Sequence, residues 1–293
     1  MREDVLRHAV DYLISNYNRT VGLVRESPDE EFKNNYYVYS DNYLVSLVLS
    51  TYDASNDTLT GMARDIRSKM QEYVGGGSQE NQYRALGDGV PSFCSSANFN
   101  LTKIGDASVR TTANNQSGLL DPADYADIAF LQAVYHCRQG NDSEAMNAYL
   151  LGVLRYDGTG FVDNATEGSY ATYKLALYIY ASELLNLEYD LQALYTLLAV
   201  QRINGGFATS YTSSHTYDFY NPNGTNTETT CLAILALVMV DTDSDTVSVG
   251  IMMIVAALTA LLVSVSVCWL LRKRRSCEKG PDKLSPGSKS GPD

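Results

Sequence analysis

The chain has 293 residues, is 45% hydrophobic and carries a formal charge of −12. That size and apolar content support one substantial domain or two small ones and exclude a chain disordered throughout. Before residue 247 there are 31 acidic and 15 basic side chains, a balance that disfavours nucleic acid and anionic headgroups as partners.

The first expected helix, residues 3–16, lies in MREDVLRHAVDYLISNY. Its acids and the lack of an uninterrupted apolar run exclude a signal peptide. Set beside the membrane span argued below, this leads us to expect a natural start further upstream. GLVRES follows, with Arg25 beside Glu26, and NNYYVYSDNY then brings Tyr36, Tyr37 and Tyr39 up to Asp41 at the start of a helix over 41–51. A helix over 59–74 precedes the polar stretch 75–121, expected to be a long loop, a lid, or a loop hiding one short helix or hairpin. Further helices are expected over 122–137 and 142–154, the first opening on DYADIAF with Asp124 and Asp127. GFVDN supplies Asp163, and Glu167 precedes SYATY, where Tyr170 and Tyr173 begin a helix over 168–186. The helix over 188–202 stops at the Gly205–Gly206 pair, followed by Phe207 and by YTSSHTYDFY with His215 and Asp218. Asn226 or Thr227 is placed to cap the last helix, 228–240, whose first turn carries Glu228.

Val247 to Leu271 contains no charged residue. At 1.5 Å per residue it is long enough for the roughly 30 Å hydrocarbon core and is expected to be a transmembrane helix in a lipid bilayer. RKRR follows it and DTDSD precedes it, which sets residues 1–245 outside the cell and a short basic tail, 272–293, inside. The expected ectodomain is 1–242. Seven Asn-x-Ser/Thr sites, at Asn18, Asn56, Asn100, Asn115, Asn141, Asn164 and Asn223, all precede that run, in keeping with a surface glycoprotein. Cys94, Cys137 and Cys231 allow at most one disulfide among themselves.

A unit repeats along the chain: a glycine followed by an apolar or aromatic residue, a polar loop, then a helix. Gly118, Gly160 and Gly206 are 42 and 46 residues apart and Gly22 lies 96 before Gly118. A period in the forties without β-rich runs predicts stacked helical hairpins, each burying the apolar stripe of its neighbour. The glycines are expected to supply positive φ after a helix.

LLAVQRINGGFATSYTSS with NTETTCLAILAL, and DGTGFVDNATEGSYATYKLAL, resemble repeats of the α/α-toroid superfamily, which includes terpenoid cyclases, protein prenyltransferase β-subunits and glycan-active toroids. The resemblance covers residues 110–240 well and 3–52 loosely. It implies an all-α fold, a partial or complete ring of hairpins with a cavity at one end. The catalytic motifs of those enzymes do not accompany it: there is no D-x-D-D, and the cysteines and His8, His136 and His215 do not form a zinc set. No metal or cofactor is expected.

Carboxylates beside aromatics are the remaining chemistry, since rings stack on sugar faces while paired acids cleave glycosidic bonds. Asp41, Glu26, Asp127 and Glu167, with His215 as a base, are the candidate catalytic residues. Arg25, Tyr37, Tyr39, Tyr170, Tyr173, Phe207 and Asp218 are the candidate ligand contacts. Most of these acids sit near helix starts, where capping explains an acid equally well. The reading that follows is a membrane-anchored surface protein binding an extracellular glycan or peptide. A carbohydrate-active hydrolase or lyase and a structural envelope protein are the alternatives. An enzyme requires two converging carboxylates with shifted pKa in one pocket.

Overall fold

The computed structural model describes residues 2–28, 35–74, 81–87, 89–96, 99–112, 117–166, 168–212 and 224–240. The chain divides into two units, Met1–Val240 and Asp241–Asp293, and the second lies outside the described residues. In the first unit the helices are α1 (Arg2–Ser15), α2 (Tyr39–Thr51), α3 (Asp57–Tyr73), α4 (Ala126–Arg138), α5 (Asp142–Val153), α6 (Thr172–Leu184), α7 (Leu191–Ala199) and α8 (Thr227–Met239). The strands are β1 (Tyr17–Asn18), β2 (Leu23–Val24), β3 (Tyr36–Val38), β4 (Cys94–Ser96), β5 (Phe99–Ile104), β6 (Ala107–Thr112), β7 (Ser117–Leu119), β8 (Tyr170–Ala171) and β9 (Ser210–Tyr211).

Two kinds of helix alternate, and their residue patterns decide which is which. In α3 only Leu59, Ala63, Ile66 and Met70 are buried, a single stripe at helical spacing that needs one neighbour. In α6 every residue from Lys174 to Ser182 is buried, and in α8 every residue from Thr229 to Leu237. Such all-round burial demands neighbours on several sides. The inner helices pack in the order α2, α8, α6, α4, while α3, α5, α7 and α1 cover α2, α4, α6 and α8. A 3₁₀ turn, Gln82–Leu86, touches both α4 and α2 and so joins the two ends of that row. The first and last described segments also meet, with Arg2 donating to the carbonyl of Val240, and Gln201 Nε2 after α7 donates to the carbonyl of Val5 in α1 at 2.8 Å.

The expectation of an all-α toroid is corrected. Small sheets lead into the inner helices: β1–β2, β4–β7 and β8–β9 are antiparallel pairs, and a third strand makes the order β3-β6-β5. The polar stretch expected to be a loop contributes most of this strand structure. β5 and β6 form a hairpin with Ile104 opposite Ala107, turned by Gly105–Asp106. Gly105 at φ 59° supplies the left-handed first position of a type II′ turn. β3 runs parallel to β6 with Val38 opposite Arg110, so that strand carries Arg110 to the start of α2.

The single-pass membrane and cell-surface expectation is also corrected. Among the described residues no helix is long and apolar enough to cross a membrane. The 247–271 run and the 272–293 tail lie outside the described residues.

The repeated glycines divide their labour differently from expectation. Gly22 has positive φ at 76°, but at the last two joints the positive φ belongs to Gly158 and Gly205. Gly160 and Gly206 are needed for closeness instead. A Cβ on Gly206 would stand 2.7 Å from the Tyr12 ring and 2.9 Å from Thr225 Cβ, and one on Gly160 would stand 2.5 Å from the Tyr170 ring.

Candidate active site

The N-terminal ends of α2 and α8 face one cavity of about 310 Å³. α2 contributes Tyr39 and Asp41, α8 contributes Glu228, and the loop before β3 contributes Glu26. Tyr83, from the 3₁₀ turn, and Arg110, from β6, complete the charged and aromatic wall.

Local backbone chemistry explains why the acids meet. Thr227 N–H donates to the carbonyl of Glu26 at 2.8 Å, Thr227 Oγ1 donates to the carbonyl of Arg25, and Ser27 Oγ donates to the carbonyl of Thr225 at 2.8 Å. Residues 25–27 are thus stitched to the start of α8. Glu26 N–H in turn donates to the carbonyl of Tyr36 at 3.0 Å, tying the same segment to the strand that opens α2. Asn42 fixes α2 against β2, bonding both N–H and C=O of Val24 at 2.7 and 2.9 Å.

Neither Asp41 nor Glu228 is a cap. The residue at the N-cap of α2 is Val38, and Asn226 caps α8 by accepting from Thr229 N–H at 2.8 Å. The carboxylates sit in the first turns, where the helix dipole favours ionisation by about 0.3–1 kcal/mol. Burial outweighs it. The Asp41 carboxyl is pushed well above the usual range by burial first, then by the charges of Glu228 and Glu26, against a hydrogen bond from Ser40 and the pull of Arg110. The Glu228 carboxyl is also raised, by burial first and by Asp127, while the Tyr83 hydroxyl donating to Oε1 and the Arg110 charge oppose the rise. Tyr83 itself is driven well up by burial and then by Glu228, so it stays protonated as that donor. Behind the acids the Cys231 thiol is pushed up by burial and by the charges of Asp41 and Glu228. Arg110 is held with its guanidinium 4.5 Å from the centre of the Phe99 ring.

The remaining expected site residues fall elsewhere. Asp127 is buried at the start of α4, 4.0 Å from Lys174 Nζ, outside the cavity wall. Its carboxyl is raised by burial first, against the Lys174 charge. Asp163 holds Lys174 at 2.6 Å and also accepts from Ala126 N–H at 2.9 Å, which joins α4 to α6 in a buried structural pair. Tyr173, between these groups, is raised by burial, then by Asp127 and Glu228. Arg25 bonds Asn16 Oδ1 at 3.2 Å, and Tyr37 is fully buried with its hydroxyl accepting from Asn18 Nδ2 at 2.8 Å. Tyr170 donates to Asp157 at 2.7 Å. Phe207 is a core residue, fully buried, with its N–H on Thr230 Oγ1 at 3.1 Å. Glu167, His215 and Asp218 lie outside the described residues.

Sequence reasoning weighed Glu228 and left it as a helix-start charge, although the Asn two positions earlier was already the better cap. Tyr83, Asn81 and Arg110 carried no signal, because each lies in the polar stretch without an apolar period around it. Among the described residues no group of three or more His, Cys, Asp and Glu is arranged to hold a metal ion. Comparison with family models, curated proteins and solved structures gives no match for the chain.

Proposed function

We propose that this cavity is a general acid–base site that hydrolyses a glycan-type substrate. The observation that carries the reading is the meeting of Asp41 and Glu228, from two different helices, in one polar cavity with both carboxyls raised. Two titratable acids held in unequal surroundings are what acid–base division of labour requires. Asp41, whose carboxyl accepts a long bond from Ser40 Oγ at 3.3 Å, is the acid: it gives its proton to the leaving glycosidic oxygen as the C–O bond breaks. Glu228, whose carboxylate accepts the Tyr83 hydroxyl, takes the proton of the attacking water. Glu26 adds a third negative centre that keeps Asp41 protonated, and Tyr39 adds an aromatic ring to the lining.

The test is turnover of a panel of 4-nitrophenyl glycosides and soluble oligosaccharides by the full chain. Asp41→Asn and Glu228→Gln should each lower kcat by about 10²–10⁴-fold. The parent should show a bell-shaped pH profile lying above the ordinary carboxylate range, and Asp41→Asn should lose its alkaline limb. Binding without cleavage, with neither variant altering any product yield, would return the cavity to a recognition site.

A further inference from the structure

The wall that carries Arg110 continues past the cavity. In the order β3-β6-β5, β6 is central and β5 is the edge. Val38 and Leu101 are the partners of Arg110 on the two neighbouring strands, and Phe99 is the partner of Thr112. Residues paired across strands share a face of the sheet. Val38, Arg110 and Thr112 line the cavity, so Leu101 and Phe99 extend that face outward. The opposite face is the core side, where the paired Tyr37 and Val109 are buried. Phe99 is 55% exposed and Leu101 48%. Single exposed apolar side chains are ordinary on a protein surface. These two stand two residues apart on one face, one strand spacing, about 4.8 Å, from the strand that lines the cavity.

Arg110 supplies the polar part of this strip. It is only half-buried, and its guanidinium lies 4.5 Å from the centre of the Phe99 ring. Asp41 and Glu228 feel its charge without forming an ion pair with it, and among the described residues no acceptor takes its N–H groups. Lys103, the other cation on this face, is engaged, its Nζ donating to Ser108 Oγ at 2.6 Å. The strip therefore sets a planar fork of donors beside an aromatic ring and a leucine. An acyl chain would cover Phe99 and Leu101 and leave the donors unmatched. A small anion would match Arg110 and leave the apolar surface bare. A sugar ring does both, since its C–H groups lie against an aromatic face while its oxygens accept. At about 310 Å³ the cavity is at the small end for ligand sites, so a chain of several rings has to run out beyond it.

We infer that the outer face of the β5–β6 hairpin is a second subsite, where Phe99, Leu101 and Arg110 hold a further ring of an oligosaccharide seated in the cavity. The inference rests on the reading of the cavity as a glycan site and adds the substrate class: chains of several sugar rings in preference to single sugars.

The test is calorimetric titration of the full chain, in its Asp41→Asn form to suppress turnover, with cello-, manno-, xylo- and chito-oligosaccharides and their monosaccharides. In the series that binds, an oligosaccharide should bind about 30–100-fold more tightly than its monosaccharide. Phe99→Ala should remove roughly 3–10-fold of that gain, and Arg110→Gln about 10-fold or more, the loss of hydrogen bonds from a charged donor. Each variant should weaken the oligosaccharide more than the monosaccharide. Leu101→Ser reads the same strip independently, and neither it nor Phe99→Ala empties the core, because both side chains are exposed. Equal affinity for monosaccharide and oligosaccharide, or a length dependence kept by all three variants, would overturn the inference. So would self-association in sedimentation that Phe99→Ala abolishes, which assigns the strip to a second copy of the chain. Failure of the two proposals is separable. Length-dependent binding that needs Phe99, without turnover by the parent chain, removes the hydrolase and keeps the subsite. Asp41-dependent cleavage whose length dependence survives all three variants does the reverse.

Discussion

Asp41 and Asp163 are both buried aspartates, and their carboxyls end on opposite sides of the usual value. Burial acts to raise the Asp163 carboxyl, but the Lys174 ammonium at 2.6 and 2.7 Å and the N–H groups of Ala126 and Ala165 hold it below the usual value. Asp41 has Ser40 Oγ at 3.3 Å and two acids for neighbours, so burial prevails. Linkage turns this into a stability prediction. A carboxyl raised in the folded state contributes stability that is full below its unfolded pKa, near 3.8, and is lost as pH climbs through the folded value. Asp41→Asn mimics the protonated acid and should be more stable than the parent at neutral pH. The gain should vanish below pH 3.8, where both states of the parent are protonated. Urea titrations across that range check it; parallel curves at every pH would show that Asp41 does not carry a raised pKa. A more stable but inactive variant is the usual mark of a site that costs the fold something. At this scale the sequence was half readable. An acid following a run of tyrosines marked Asp41, and a charge beside a glycine turn marked Glu26. The Tyr83 hydroxyl on Glu228 depends on how the 3₁₀ turn packs between α2 and α4, and no local pattern encodes that.

Helices were readable because their constraint is local and periodic. The expected 41–51, 59–74 and 228–240 correspond to Tyr39–Thr51, Asp57–Tyr73 and Thr227–Met239. The helix expected over 168–186 begins instead at Thr172, because Tyr170–Ala171 pair with β9 as a strand. The strands were unreadable for a physical reason. β5 leaves Phe99, Asn100 and Leu101 all exposed, so no alternation of apolar and polar residues marks it, and its pairing is set by β6 and β3. The glycine joints were legible as punctuation but not in mechanism, and two of them allow the two uses of glycine to be separated. Gly158 and Gly205 share a positive φ, 91° and 89°. A Cβ at Gly158 meets nothing within 4 Å, whereas one at Gly205 runs into the backbone carbonyl of His8 on α1. Gly158→Ala should therefore cost only backbone strain, about 1–2 kcal/mol. Gly205→Ala should cost clearly more, because α1 must also move. Denaturant midpoints of the two variants measure the difference, and equal losses would mean that α1 yields without resistance.

At the scale of the molecule, the cavity exists because distant parts of the chain close on each other. Glu26 and Glu228 are about two hundred positions apart, and the seam between them is made of backbone bonds from Thr227 and Ser27. The periodic glycines predicted repeated hairpins, but not that a 3₁₀ turn inside a polar stretch would link α4 to α2 and bring Tyr83 onto Glu228. Such closure depends on which loop fills the remaining gap, a property of the assembled helices. The seam should couple stability to chemistry unequally. Thr227→Val keeps the buried volume but removes the hydroxyl that donates to Arg25 C=O, leaving that carbonyl one partner short. The stability cost should be about 1 kcal/mol, a small part of the total for a domain of this size. Turnover should fall as well, because loosening the Arg25 end of the seam lets Glu26 shift on its remaining backbone bonds to Thr227 N–H and Tyr36 C=O, and a misplacement near 1 Å can cost on the order of 10²-fold. Amide hydrogen exchange at residues 25–28, read beside kcat for the same variant, separates the two effects. Faster exchange with an unchanged kcat would remove Glu26 from the mechanism and leave Asp41 and Glu228 as the working pair. Faster exchange with a reduced kcat and an alkaline limb moved to lower pH would place the charge of Glu26 among the causes of the raised Asp41 pKa.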